Sequence, residues 1–113
     1  PMNHEISTAF FKGESEEKYK FTVYNWDIIF REGLRGVYIF GKRFKNSDGN
    51  FTLNPIFIGE MKDLHFLQGY HRKMDCIMKN GANCKCIYAV QNDARRVAIC
   101  QDLIDNCDPP CND

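Results

Sequence analysis

Residues 19–24 alternate aromatic or β-branched side chains with polar ones, and this period of two predicts a strand. Two short apolar runs follow, one over residues 37–40 and one around residues 56–58, each beginning or ending on glycine. They read as two strands joined across the polar segment 41–50, which carries the turn signal Asp48-Gly49. Asn25 is a candidate cap for a short helix over residues 26–31, which Gly33 would end. Asp63 is a candidate cap for the next helix, because Leu64, Leu67 and His71 then share one face. That helix is expected to reach about Arg72, with a further turn or two over residues 74–79 and a stop at Asn80-Gly81. Residues 85–90 read as a strand. Asn92 or Asp93 then caps a last helix running to about Asn106, and Pro109-Pro110 forbids its continuation.

The order is strand, short helix, strand, strand, helix, strand, helix. It predicts an α+β fold: a small, mostly antiparallel central sheet flanked by helices. Residues 1–18 are polar and mixed, with Ala9, Phe10 and Phe11 as their one apolar cluster. The organisation expected is an N-terminal extension over 1–34, packed on a domain over 35–113. Pro1 reads as an added residue ahead of a native Met2.

Composition narrows the class. At 113 residues and 43% hydrophobic, the chain can bury a core of its own and does not read as disordered. Fifteen basic and fifteen acidic residues cancel, so no overall field selects nucleic acid, a membrane or an acidic partner. Apolar runs are too short to span a bilayer, no signal peptide opens the chain, and a soluble cytoplasmic protein is the expectation. All six cysteines fall in the last third. They are open to three readings: free buried thiols, a disulfide, or a zinc site built from Cys84, Cys86, Cys107 and Cys111. The C-x-C and C-x3-C spacings differ from the C-x2-C pairs of common zinc modules.

Gly36, Val37 and Tyr38, then Phe57, Ile58 and Gly59, followed by Asp63 and Leu64, resemble the two signature strands of the GIY-YIG nuclease domain. His71 lies fourteen residues after Phe57, where that family carries His or Tyr. Residues 81–83 precede a strand as in many small bacterial members. Residues 96–104, closing with Pro110, Cys111 and Asn112, are similar to the family's late helix and terminal Asn. The likeness covers residues 35–112. It implies hydrolysis of a DNA phosphodiester with one divalent metal, Mg2+ or Mn2+. A first-strand Tyr would act near the nucleophilic water and a second Tyr would orient it. A helix Arg would steady the phosphate, and a Glu on the last helix would hold the metal.

Against that pattern Tyr38, His71 and Asn112 are kept. The second tyrosine is Phe57, the helix Arg position is Leu67, and the Glu position reads as Gln101. The Thr or Ser usual after the second triplet is Met61. A neutral amide gives a hard dication no charge, and leucine offers a phosphate no guanidinium. Asp102 cannot replace Gln101, since one residue turns a helix by about 100°. Glu60 is the candidate for a relocated metal carboxylate, and Arg72 for a relocated phosphate ligand.

Three functions follow as expectations. The first is a catalytically degenerate GIY-YIG-like domain, a pseudoenzyme that binds a protein or nucleic acid and needs no cofactor. In this reading Lys42, Arg43, Arg72 and Lys73 are candidate nucleic-acid contacts. The second is a metal-dependent endonuclease with a shifted site of Tyr38, Glu60, His71 and Gln101. The third is a zinc-stapled interaction module. The partner and the oligomeric state are not readable from the sequence.

Overall fold

A computed structural model describes residues 4–113, so the reading of Pro1 and Met2 lies outside the described residues. The fold is α+β, with one five-stranded antiparallel sheet between two unequal helical layers. Its strands are β1 (Glu5–Lys12), β2 (Lys18–Asn25), β3 (Gly36–Lys45), β4 (Phe51–Met61) and β5 (Cys84–Ala89), in the spatial order β1-β2-β5-β3-β4. The last strand in sequence is therefore the central one. Cys84, Lys85, Cys86 and Ile87 are all buried there, as expected of a strand covered on both faces.

Side chains alternate across each strand, and this divides the core in two. On one face Phe21, Val23, Val37, Ile39, Ile58 and Cys86 pack under helix α2 (Asp93–Cys107). On the other, Tyr38, Phe40, Phe57 and Ile87 pack under a 3-10 turn (Leu64–Gln68), helix α1 (Met74–Lys79) and the loop carrying Phe30. No helix among the described residues is long and apolar enough to cross a membrane.

The strand expected over residues 19–24 is β2, and it pairs with β5. The strand β1 was not expected. A register shift between Glu5 and Ser7 changes its phase, and Phe10 is 65% exposed, so its alternation is hidden. No helix forms over residues 26–31. The chain turns once, with Ile28 N–H on the Asn25 carbonyl, and then runs without regular structure, with Phe30 buried against Tyr24. Burial of Phe30 wins over a weak local helix preference.

The polar segment 41–50 is mostly strand. β3 and β4 continue past the core as a hairpin, and only residues 46–50 turn. Asp63 does cap, accepting from His65 N–H at 3.1 Å and from Gly33 N–H at 3.0 Å. What it caps is a 3-10 turn, which Gly69 ends. Asn92 caps α2 by accepting from Arg95 N–H at 2.8 Å.

Candidate functional site

Tyr38 and Gly59 stand opposite each other in the β3–β4 pair, and the ring of Tyr38 lies across the space a side chain at 59 would fill. A Cβ on Gly59 would come within 2.4 Å of the Tyr38 hydroxyl. That hydroxyl meets His71 Nε2 at 3.0 Å. Phe57 stacks on Tyr38 with ring centroids 6.0 Å apart, and its edge contact with His71 is 4.8 Å. Tyr38, Phe57 and His71 are thus brought together.

Hydrogen bonding fixes the proton positions. Lys73 N–H donates to His71 Nδ1 at 3.1 Å, so that nitrogen carries no proton. The neutral ring then bears its proton on Nε2 and donates it to the Tyr38 oxygen. Burial lowers the His71 pKa from its ordinary value, and the Arg72 charge lowers it further. Burial also pushes the Tyr38 phenol well above its ordinary range. At neutral pH the pair is an uncharged donor–acceptor unit.

The one carboxylate of the shifted site, Glu60, is engaged elsewhere. Glu60 Oε1 accepts from Arg96 Nε at 2.7 Å, and Asp93 Oδ1 accepts from Arg96 Nη2 at 2.8 Å. Arg96 is 1% exposed and also donates to the carbonyls of Val90 and Gln91. A buried guanidinium needs its acceptors, so Glu60 acts first as a counter-ion. Gln101 is exposed and donates to Asp105 Oδ1 at 2.7 Å along α2. Leu67 is 4% exposed within the apolar core, so an arginine there would be buried without a partner. Arg72 is exposed beside His71, while the Lys73 ammonium donates to the Asp113 carbonyl.

Sequence reasoning missed two residues. Arg96 is one, and Cys100 is the other. On α2 it is Cys100 rather than Gln101 that faces the core. Burial, with Glu60 adding, pushes the Cys100 thiol up to about 11, so it is neutral. For Cys100 the signal was present in the helix period. Arg96, Ile99, Cys100 and Leu103 form one buried stripe, which puts residue 101 on the outer face.

The zinc alternative is not assembled. Cys84 and Cys86 are buried under α2, Cys107 is half-buried at the end of that helix, and Cys111 is disulfide-bonded to Cys76 in the other half of the core. Among the described residues no group of three or more His, Cys, Asp or Glu could hold a metal. The cysteines divide into one disulfide and four free thiols.

Lys42 and Arg43 lie on the projecting hairpin, each against an aromatic ring. Arg43 stacks 3.8 Å above Phe51 and Lys42 lies 5.8 Å from Phe44. Phe51 and Phe44 are 52% and 39% exposed, enough to offer a ring as well as a charge to a partner. Asn83 secures the hairpin's base, where its side chain accepts from Arg43 N–H at 2.8 Å and donates to the Arg43 carbonyl at 2.9 Å. Comparison with protein-family models, curated proteins and solved structures returned no match.

Proposed function

We propose that this chain is a catalytically degenerate domain on a GIY-YIG-like scaffold and that it acts by binding. The observation carrying this reading is the engagement of Glu60 by the buried Arg96. The carboxylate nearest the signature strands serves the fold, and the neighbouring α2 side chain is a neutral thiol. Metal-assisted phosphodiester hydrolysis needs charge at the developing transition state, and losing it forfeits several kcal/mol, on the order of a thousandfold in rate.

The partner this geometry fits best is a nucleic acid. Lys42, Arg43 and Lys45 line the β3–β4 hairpin, whose only acidic side chain between residues 42 and 54 is Asp48. Alternate positions put Lys42 and Phe44 on one face, and Arg43, Lys45 and Phe51 on the other. Each face offers cations for phosphate and a ring for a base.

Plasmid nicking with Mg2+ or Mn2+, run beside a binding titration with a single-stranded oligonucleotide, tests both halves. The expectation is no nicking, with binding that weakens in Arg43→Ala and at higher salt. Nicking that Tyr38→Phe abolishes would overturn the binding-only reading. Binding indifferent to Arg43 would move the contact off the hairpin.

A further inference from the structure

The C-terminal segment is a strap across the open edge of the sheet. β4 is an outer strand, and the tail lies along it. Cys111 N–H donates to the Ile56 carbonyl at 3.1 Å. The Asn112 side chain imitates a strand residue, accepting from Ile58 N–H at 2.9 Å and donating to the Ile58 carbonyl at 2.8 Å. The Asp113 carbonyl accepts from the Lys73 ammonium, and Lys73 N–H is the group that sets the His71 tautomer. One covalent bond fastens this strap, Cys76 of α1 to Cys111.

We propose that the Cys76–Cys111 disulfide is a thiol-operated latch: opening it releases residues 109–113 from β4 and loosens the loop that holds His71 on Tyr38. The bond is placed for exchange. Cys111 is fully buried whereas Cys76 is half-buried, so Cys76 is the more accessible of the two to an incoming thiolate. A new sulfur–sulfur bond forms there, the Cys76–Cys111 bond breaks, and its electron pair leaves on Cys111. Asn80 Nδ2 lies 3.5 Å from the Cys111 sulfur as a donor, where it stabilises that leaving thiolate until it takes a proton from water. The second thiol of a dithiol reductant then attacks the mixed disulfide, leaving Cys76 as a thiol and the reductant as a disulfide. The protein gains two electrons and two protons. With the cross-link gone, the strap is held by a handful of hydrogen bonds at a chain end, the region where local opening costs least.

Amide exchange of the full chain, followed by NMR before and after dithiothreitol, tests the latch. Ile58 and Cys111 are the reporters, with Ile39 and Cys86 as core references. The expected result is exchange at least about tenfold faster at both reporters on reduction, with the core references unchanged. Cys111→Ser should show the same fast exchange without any reductant. If that variant does not fold, the reduced native chain carries the test. Three results would overturn the proposal: both thiols alkylated in the non-reduced protein, unchanged reporter protection on reduction, or loss of all protection together. The last would make the bond a global staple.

Discussion

The two faces of this sheet use polar groups in opposite ways. Under α2 the polar chemistry is ionic, with one buried guanidinium holding Glu60 and Asp93 and two backbone carbonyls. Under α1 no ion pair is buried: a phenol and an imidazole share one hydrogen bond between aromatic rings, and the Lys85 ammonium lies over the Trp26 ring. A hydrolytic metal site would join a carboxylate to the phenol. Here the Glu60 carboxylate answers to the guanidinium on the opposite face. The difference teaches that the arrangement of strands and the disposition of charge are separable properties. The strands put Tyr38 and Phe57 together, the loop before α1 brings His71 to them, and the residues around them decide whether that cluster carries charge.

Removing the ionic anchor should cost most. Arg96→Ala deletes a buried cation and releases two acidic groups, and a loss of about 3 kcal/mol is expected in urea unfolding. Asp93 and Glu60 retain access to water, which keeps the figure below that of a fully enclosed pair. A loss under about 0.5 kcal/mol would mean that the α2 face is not organised by the ion pairs.

Gly59→Ala probes the opposite face. Its Cβ would sit 2.4 Å from the Tyr38 hydroxyl, so the ring must move off His71. A cost of about 1–3 kcal/mol is expected, along with a shifted His71 titration by NMR. An unchanged titration would place Tyr38 away from His71.

Next are the two asparagines that finish strand edges. Asn112→Ala removes both Ile58 hydrogen bonds and should cost about 1–2 kcal/mol, and Asn83→Ala at Arg43 should cost a similar amount. A much larger effect at Asn83 than at Asn112 would show that the hairpin base bears more of the fold than the tail.

The smallest effect is in pH dependence. The folded state holds the His71 pKa below the ordinary 6.5, so the unfolded chain binds the proton more readily. His71 stability is therefore present above about pH 7 and is lost as pH falls from 6.5 through the lower folded value. His71→Phe should remove that step from a plot of Tm against pH. Asp93 and Asp102 are both held below the usual carboxylate range by hydrogen bonds, to Arg96 and to Ser15 respectively, and their steps lie at lower pH and should remain. A step between pH 7 and 5 that survives in His71→Phe would assign it to another group.

Much of this was legible in the residues. The α+β class and the strand centres showed in the apolar periods, and Asp63 and Asn92 announced their caps through oxygen-bearing side chains just ahead of apolar faces. Helix extent was less legible. Leu64 and Leu67 point inward as the period requires, yet Gly69 stops the turn after five residues, and burial of Phe30 unwinds the segment after Trp26. The strand ends of the hairpin were hidden because polar residues dominate where strands leave the core. At the site, Tyr38 and His71 were each singled out, though not as partners, whereas Arg96 was not. A buried arginine is written in the sequence like an exposed one, and its acceptors lie 36 and 3 residues away. The Cys76–Cys111 bond was equally unreadable, since six cysteines admit many pairings.

Mn2+ binding to the full chain at pH 7, measured by titration calorimetry, tests the separation of carboxylate from phenol most directly. The arrangement of Glu60 under Arg96 predicts no stoichiometric site tighter than about 1 mM. One equivalent of Mn2+ bound at micromolar concentration, and lost in Glu60→Gln, would contradict it.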